Sequence, residues 1–269
     1  MGVRDCEKEL GNDMHHFFVA PEQIGEKKIT ITGSDVNHIR NVLRMEAGEQ
    51  ITVSGGEGKE YRCEVLVLEP DRVEAGIMWV QETEAELPSK TYLFQGLPKG
   101  DKMELIIQKA VELGVYEIIP VATKRAVVKL DKKKSESKRK RWQSISESAA
   151  KQSKRLIVPE ITSVMSFREA VEYAAGMDVK LMPYELAEGM EETRHLLEGI
   201  VPGQSVAIFI GPEGGFSAEE AKLAAAEGLQ PITLGKRILR TETAGMTVLS
   251  VLMYLLEGRT ERENGSISG

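Results

Sequence analysis

The fold is decided by the stretch Val206-Ala207-Ile208-Phe209-Ile210-Gly211-Pro212-Glu213-Gly214-Gly215. Its first five residues are apolar and include β-branched side chains, a pattern typical of a strand buried on both faces. The glycines that follow allow positive φ angles and a close approach of the backbone to a ligand. A buried strand that ends in a glycine-rich loop predicts an α/β protein with a ligand site at the carboxyl edge of its sheet.

A second strand-and-loop unit follows, with the sequence Leu234-Gly235-Lys236-Arg237-Ile238-Leu239-Arg240-Thr241-Glu242-Thr243-Ala244. Between the two loops, Ser217 and Glu220 form a capping-box pattern that predicts a helix start, and Gly228 predicts its end. Two such loops on neighbouring parallel strands would form one crevice. Each loop alone is equally compatible with a tight turn that binds nothing, and the spacing does not fit a phosphate-binding P-loop.

Together the two loops resemble those of the RsmE-type ribosomal RNA uridine-N3 methyltransferases, which belong to the SPOUT superfamily. Further stretches resemble the family in the same order along the chain, and the resemblance covers residues 15–257. These stretches are His38–Met45, Gly96–Lys102, Ile107–Gly114 and Ala149–Arg155. The resemblance implies an α/β fold in which a SPOUT-type knotted parallel-sheet domain is preceded by a small β-barrel, PUA-like domain.

The residue pattern itself divides the chain near the polar run Glu82–Pro88. Before this run, short stretches of alternating polarity predict strands. After it, strands alternate with helical patterns, which indicates a parallel sheet covered on both faces. We expect a disordered extension (1–13), a PUA-like β-barrel that binds RNA (14–86), a SPOUT methyltransferase domain with a trefoil knot (87–258) and a polar tail (259–269). No periodicity reveals a knot, which rests on the resemblance alone.

Helix starts and ends give more specific expectations. Ser34 is a candidate N-cap for a helix that runs to about Met45, and Asp101 with Glu104 forms a second capping-box pattern. Strands are predicted at 28–32, 50–53, 61–67, 72–77, 92–94, 117–121, 179–182, 206–210 and 232–234. Further helices are predicted near 102–113, 135–154, 167–175, 217–227 and 243–257.

Composition limits the class of protein. The 269 residues carry a net charge of −7, a hydrophobic fraction of 41% and only two cysteines, Cys6 and Cys63. Two cysteines are too few for a disulfide framework, and Cys63 is expected in the core. The first residues lack the apolar segment of a secretory signal, and the apolar run Val248–Leu256 is too short to span a bilayer. We therefore expect a cytoplasmic protein without a membrane partner.

The resemblance implies S-adenosyl-L-methionine (SAM) as the cofactor, bound in the crevice between the loops. The second loop would hold the adenine by its backbone, the first loop would approach the ribose and methionine part, and the end of a third strand would form the far wall. The implied cofactor-binding residues are Tyr184, Glu185, Ile210, Gly211, Pro212, Glu213, Gly214, Leu234, Gly235, Arg237, Ile238, Leu239, Thr243 and Ala244. For Ile238 and Leu239, ordinary core packing is the alternative.

Methyl transfer to N3 of uracil requires that the N3 proton leaves and that the resulting anion is stabilised. We predict that Arg240 stabilises this anion electrostatically at the carbonyl oxygens of the base. Glu242 or Glu213 would accept the proton or hold the arginine, although a purely structural ion pair is also possible. The four histidines lack the spacing of metal ligands, so we predict no metal site.

A basic segment interrupts this acidic chain. Residues 124–155 contain thirteen Lys or Arg and three acids, a local charge of +10. Such a segment fits an RNA-phosphate surface or simply a solvated helix. The residues predicted to contact RNA are His16, Arg40, Arg44, Lys99, Lys138, Arg139, Arg141 and Arg155. His16 stands where the family usually has arginine, and Ser148 and Lys151 replace two usual acids.

The leading functional hypothesis is SAM-dependent methylation of uridine N3 in 16S ribosomal RNA within the assembled small subunit. One alternative is a SPOUT ribose 2′-O-methyltransferase that acts on tRNA or rRNA, and another is an RNA-binding module without catalytic activity. The last predicted helix, 243–257, is apolar nearly all round. We therefore predict that it also packs against a second chain in a homodimer, although burial within one chain is possible.

Overall fold

The computed structural model describes residues 14–56, 58–82, 85–128, 130–184 and 189–265. The chain separates into two compact units. The first unit comprises residues 1–86 and 154–158, and the second comprises residues 87–153 and 159–269. The predicted disordered extension, 1–13, lies outside the described residues.

The first unit is built on a mixed sheet of five strands in the order β1-β3-β4-β5-β2. β1 pairs in parallel with β3, and the other pairs are antiparallel. The inward residues include Phe17, Ile29 and Ile51, and Cys63 is buried among them as predicted. Burial raises the pKa of the Cys63 thiol to about 11. The strands are β1 (His16–Phe18), β2 (Lys28–Thr32), β3 (Gln50–Ser54), β4 (Lys59–Leu68) and β5 (Arg72–Glu82).

The helix predicted from Ser34 to Met45 is shorter and irregular. α1 covers Ser34–Asn37 and continues as a π-helical turn, His38–Val42. The N-cap is Gly33, with φ of 77°, and its conformation places Ser34 inside the first turn rather than at the cap. Arg44 then adopts a left-handed φ of 56°, which ends the helical path.

The second unit contains a parallel sheet in the order β12-β10-β11-β6-β7-β8, with β9 also paired to β7. The parallel arrangement agrees with the alternating pattern in the sequence. Its strands are β6 (Lys90–Gly96), β7 (Glu117–Ala122), β8 (Glu160–Ile161), β9 (Met165–Ser166), β10 (Val179–Pro183), β11 (Ser205–Ile210) and β12 (Gln230–Ile232). Its helices are α2 (Lys102–Glu112), α3 (Lys132–Gln152), α4 (Phe167–Tyr173), α5 (Met190–Glu198), α6 (Ala218–Ala226) and α7 (Thr241–Gly265).

Helices cover both faces of the parallel sheet. On one face, the stacked rings of Phe94 and Phe209 lie 4.2 Å apart and pack with residues of α4 and α6. On the other face, α7 runs along β6 and β11. Gly245 of α7 packs against this face, where a Cβ atom added to it would lie 3.7 Å from Ile210 and 3.8 Å from Leu93, in ordinary van der Waals contact. This packing fixes the start of α7 beside the carboxyl ends of the two central strands.

Two helix-start predictions have opposite outcomes. Ser217 and Glu220 form the predicted capping box, with backbone-to-side-chain hydrogen bonds of 3.2 and 2.8 Å. Asp101 makes no side-chain cap for α2, because its backbone (φ −96°, ψ 11°) is not in the extended conformation that capping needs. The carboxylate of Glu104 instead accepts a hydrogen bond of 2.9 Å from Arg141.

The last helix is longer than predicted. α7 continues through Gly258 to Gly265, so residues 259–265 are helical rather than part of a polar tail. A glycine within a helix costs about 1 kcal/mol relative to alanine and does not by itself end the helix. The knot remains a prediction.

Candidate functional site

Three parallel strands end at one edge of the sheet and create a cavity there. The segments that follow β10, β11 and β12 line a cavity of about 580 Å³, and the first turn of α7 also contributes to its wall. Most of the residues predicted to bind the cofactor or to act in catalysis line this cavity. These residues are Tyr184, Ile210, Gly211, Pro212, Glu213, Leu234, Gly235, Arg237, Ile238, Leu239, Arg240 and Ala244.

A few predicted residues lie elsewhere. Gly214 and Thr243 are exposed beside the cavity and do not line it. Glu242 is half-buried and is not among the lining residues. Glu185 lies outside the described residues.

Glycines shape both loops because the backbone passes very close to itself or turns sharply. A Cβ atom added at Gly96 would lie 2.6 Å from Pro212 Cδ and 2.7 Å from Pro212 N, so the end of β6 accepts no side chain. Gly235 has a φ of 105°, a conformation that other residues rarely adopt. The first loop is therefore held against β6, and the second loop turns at Gly235.

A buried hydrogen-bonded chain joins the first loop to α7. Gln95 Nε2 donates to Thr241 Oγ1 at 2.9 Å, and Thr241 Oγ1 donates to the carbonyl of Gly211 at 2.7 Å. Gln95 is fully buried, and Thr241 is 5% exposed. Neither residue was among the predicted site residues, because the contacts join positions that are far apart in the sequence.

Lys102, another residue that the sequence did not predict, connects two predicted carboxylates. Its Nζ lies 3.0 Å from Glu213 Oε1 and 3.4 Å from Glu242 Oε2. The hydrogen bond to Glu213 raises the pKa of Lys102 above its usual range. Partial burial raises the pKa of Glu213, but hydrogen bonds from Lys102 and from backbone amides outweigh this effect and lower that pKa below 4.5. Glu213 is therefore held as a carboxylate.

Several cations surround the mouth of the cavity. Arg125, Lys236, Arg237 and Arg240 line it and are exposed. Arg125 Nη1 donates to the carbonyl of Gly214 at 3.0 Å, which fixes the arginine over the first loop. Among the described residues that line the cavity, the only acid is Glu213, which already pairs with Lys102. The described part of the rim therefore carries a net positive charge.

One apolar side chain contrasts with this charged rim. Ile238 lines the cavity and is 87% exposed, whereas its neighbour Leu239 is partly buried. For Ile238, the alternative of core packing is therefore wrong. An exposed aliphatic surface at a cavity of this size suits a ligand with a flat apolar ring, as a nucleoside has.

The predicted RNA-contacting residues of α3 differ in how their charges are neutralised. Arg139 Nη2 lies 2.8 Å from Glu136 Oε1, and Arg141 Nη2 lies 2.9 Å from Glu104 Oε1. Lys138 Nζ lies 5.8 Å from the centre of the Trp142 ring. The positive charge of α3 is thus partly compensated by neighbouring carboxylates.

In the first unit, His16 Nε2 lies 2.7 Å from Ser54 Oγ, and Arg44 is exposed.

The location of Arg155 does not suit its predicted role at RNA phosphates, because its side chain is 4% exposed and pairs with Glu86. Glu86 also accepts hydrogen bonds from the backbone amides of Leu156 and Ile157, at 2.9 and 3.2 Å. Lys154 adopts a left-handed φ of 56° where this short segment begins.

In the described ranges, no three His, Cys, Asp or Glu side chains cluster closely enough to bind a metal ion. No helix of the described ranges has both the length and the apolar character needed to cross a bilayer.

Comparisons with known proteins agree with this geometry. The RNA methyltransferase domain family matches residues 85–253, and the RNA methyltransferase PUA domain family matches residues 31–78. Ribosomal RNA small subunit methyltransferase E of Bacillus subtilis is 40% identical over 252 residues, which cover 91% of this chain and 98% of the relative. The protein of that name from Synechocystis is 34% identical, over 90% of this chain and 78% of the relative.

The comparison extends to three dimensions. The crystal structure of ribosomal RNA small subunit methyltransferase E from Neisseria gonorrhoeae, bound to S-adenosyl methionine, superposes with a TM-score of 0.77. The two chains are 35% identical, and the match covers 90% of this chain and 98% of that chain.

Proposed function

The chain belongs to the ribosomal RNA small subunit methyltransferase E family of RNA methyltransferases, and on this premise we propose that it methylates N3 of a uridine in 16S rRNA. It is a SAM-dependent enzyme of α/β fold with a PUA-like and a methyltransferase domain. The observation that carries the proposal is the cavity between the two glycine-rich loops, which is lined by Arg240 and by most of the predicted cofactor contacts.

The residues of the cavity fit SAM. A cavity of about 580 Å³ is within the usual range for ligand sites, and Ile238 offers an apolar surface at its mouth. We propose that backbone groups of Leu234–Leu239 hold the adenine and that Gly211 and Tyr184 lie along the rest of the cofactor. Bound SAM supplies a methyl group on a sulfonium. The protein then contributes mainly the orientation of that methyl group toward the acceptor nitrogen.

Arg240 is the residue that we propose to stabilise the uracil anion. It lines the cavity, is exposed and directly precedes α7. A guanidinium near the carbonyl oxygens of uracil would favour loss of the N3 proton and lower the barrier to transfer. Within the described residues neither Glu213 nor Glu242 holds this arginine, because both pair with Lys102.

The two glutamates consequently have different proposed roles from Arg240. Glu213 has a lowered pKa and pairs with a lysine, which makes it a weak proton acceptor. We propose that Glu213 is a positioning residue, which ties the first loop to α2 through Lys102. Glu242 pairs with the same lysine at the longer distance of 3.4 Å and is the remaining candidate for the proton acceptor.

The remaining proposals concern the two domains, the RNA contacts and the cellular location. We propose that residues 14–86 form the RNA-binding domain and that residues 87–258 form the methyltransferase domain with a trefoil knot. The exposed Lys99, the basic face of α3 and residues His16, Arg40 and Arg44 would contact 16S rRNA in the assembled small subunit. An enzyme with this substrate would work in the cytoplasm.

We also propose a homodimer, which exposed apolar side chains of the second unit support. Val251 and Tyr254 of α7 are 38% and 78% exposed, and Leu105 of α2 is 43% exposed. α2 and α7 pack against each other, so these side chains belong to neighbouring helices. A two-fold interface would cover them. Light scattering at low micromolar concentration should give twice the chain mass, and a fully active monomer would contradict the dimer.

The deciding experiment uses ribosomes from a strain in which the gene is deleted. Small subunits from this strain and purified wild-type enzyme are incubated with labelled SAM, and mass spectrometry then locates the methyl group. We expect one uridine methylated at N3. A methyl group on a ribose oxygen would indicate the 2′-O-methyltransferase, and SAM binding or RNA binding without transfer would indicate a module without catalytic activity.

A further inference from the structure

The side chains of two cations that line the cavity have no role in the function described so far. Arg125 follows β7 and lies over the first loop, whereas Lys236 lies in the second loop. Both line the cavity and both are exposed. The cavity mouth is therefore flanked by positive charge contributed by two separate segments of the chain.

The position of Arg125 is fixed. Its Nη1 donates to the carbonyl of Gly214 at 3.0 Å, and a Cβ atom added at Gly214 would lie 3.2 Å from Arg125 Cβ. This hydrogen bond uses one of the five N–H donors of a guanidinium, which leaves other donors for a ligand. The preceding Lys124 points to a carboxylate, with its Nζ 3.3 Å from Glu219.

The charge balance at the mouth favours an anionic ligand. Lys102 is neutralised by Glu213 and Glu242, whereas no acid among the described lining residues pairs with Arg125 or Lys236. Exposed cations with donors pointing into solvent bind phosphates, and contacts to phosphates position a nucleic acid strand without reading its sequence.

A base can enter a cavity of this kind only if its nucleotide leaves the base stack. The phosphates on either side of that nucleotide then remain outside, at the mouth. We propose that Arg125 and Lys236 bind these two flanking phosphates and so hold the RNA strand across the cavity with the target base inside. This inference rests on the proposed function, since it assumes an RNA substrate at this cavity.

The methionine carboxylate of SAM is another anion that either cation could bind. The experiment therefore measures RNA binding and SAM binding separately. The double variant Arg125→Gln/Lys236→Gln removes both charges. The variant Arg168→Gln/Lys222→Gln is the matched control, because both residues are exposed and neither lines the cavity. Full-length proteins are titrated with a uridine-containing rRNA fragment at several salt concentrations, and with SAM by calorimetry.

We expect the double variant to bind the RNA fragment about tenfold more weakly at low salt and to retain its SAM affinity. Its logarithmic salt slope should be less steep by about 1.4, because each single-strand phosphate contact contributes about 0.7. The charge-keeping variant Arg125→Lys/Lys236→Arg should restore the slope, and the control should match the wild type.

An unchanged RNA affinity and salt slope would overturn the inference, and so would a loss of SAM affinity with RNA binding intact. Retained SAM affinity also verifies that the variant is folded. The proposed function is judged separately, because it fails if the wild-type enzyme transfers no methyl group to ribosomal RNA.

Discussion

The hydroxyl of Thr241 lies 2.7 Å from the carbonyl oxygen of Gly211, so the first residue of α7 is bonded to the first glycine-rich loop. The same hydroxyl accepts a hydrogen bond from the buried Gln95 at 2.9 Å. One side chain thus connects β6, the first loop and the last helix at the floor of the cavity.

Thr241→Val should lower both stability and SAM affinity. Valine keeps the shape of threonine but leaves the Gln95 amide and the Gly211 carbonyl without this partner, at a cost of about 1–3 kcal/mol. Urea denaturation and calorimetry measure the two effects. Thr247→Val is the matched control, because the Thr247 hydroxyl donates a solvent-exposed hydrogen bond to the Thr243 carbonyl of the same helix. Equal effects of the two substitutions would contradict this prediction.

Gly96→Ala should displace the first loop. The added methyl group would lie 2.6 Å from Pro212 Cδ, closer than side-chain atoms approach in real structures, so Pro212 and the loop must move. Overpacking of this kind typically costs about 1–3 kcal/mol, and we expect SAM affinity to fall by about tenfold. Gly176→Ala, at an exposed turn with no atom within 4 Å of the new methyl group, should leave affinity unchanged. Wild-type SAM binding by Gly96→Ala would show that the loop adapts.

Arg240→Ala should abolish most of the activity while SAM still binds. If the guanidinium stabilises charge that develops during transfer, its loss should lower kcat by about two orders of magnitude or more. Single-turnover transfer to small subunits and calorimetry with SAM measure the two properties. The control Arg168→Ala removes an exposed arginine of α4 that does not line the cavity. Near-wild-type transfer by Arg240→Ala would assign this arginine no part in catalysis.

Lys102→Gln should raise the pKa of Glu213. In the wild type this pKa lies below 4.5, so the interaction stabilises the folded protein above about pH 4.5 and is lost as pH falls through the folded-state pKa. Without the ammonium of Lys102, the carboxylate should titrate at higher pH, and the acid limit of stability should shift upward. NMR titration of the Glu213 carboxyl group measures the shift.

Lys99→Gln is the control for that titration, since Lys99 contacts Glu213 through its backbone amide, which the substitution retains. An identical Glu213 titration in Lys102→Gln and in wild type would refute the assigned pairing.

Reversal of Lys138, Arg139, Lys140 and Arg141 to glutamate should weaken RNA binding and flatten its salt dependence. Arg139 and Arg141 already pair with acids, so reversal of Lys138 and Lys140 alone should produce most of the effect. Binding of an rRNA fragment across a salt series measures it, with SAM affinity expected to stay constant. An unchanged salt slope would mean that this face of α3 is only solvated.

The regular elements followed from the sequence because their patterns are local. The predicted strand 28–32 matches β2 in full, and the helix predicted near 102–113 matches α2 within one residue. The final strand, predicted at 232–234, instead covers Gln230–Ile232. The short β1 was not predicted, since three residues carry little hydrophobic periodicity. The helix α5 was also not predicted, although its apolar side chains are concentrated on one face.

The parts of the candidate site that local glycine-rich motifs form were predicted from the sequence. The parts that depend on contacts between residues distant in the sequence were not. Both loops were found from their glycines and their position after strands. Lys102 and Gln95 were missed as site residues, because Lys102 pairs with Glu213 and Gln95 bonds to Thr241, each more than one hundred positions away. The capping box at Asp101 failed for a local reason, since the backbone of Asp101 is not extended.

The segment 154–158 determines where the chain can be cut to separate its two units. Arg155 in this segment is buried against Glu86, and both residues belong to the first unit. The stretches on either side of the segment belong to the second unit. The boundary between the units therefore crosses the chain three times, and no single cut separates them. A fragment beginning at residue 87 would keep residues 154–158 but lose Glu86 and the rest of the unit to which they belong. We therefore expect that isolation of the second unit requires removal of residues 154–158 as well as of the residues before 87.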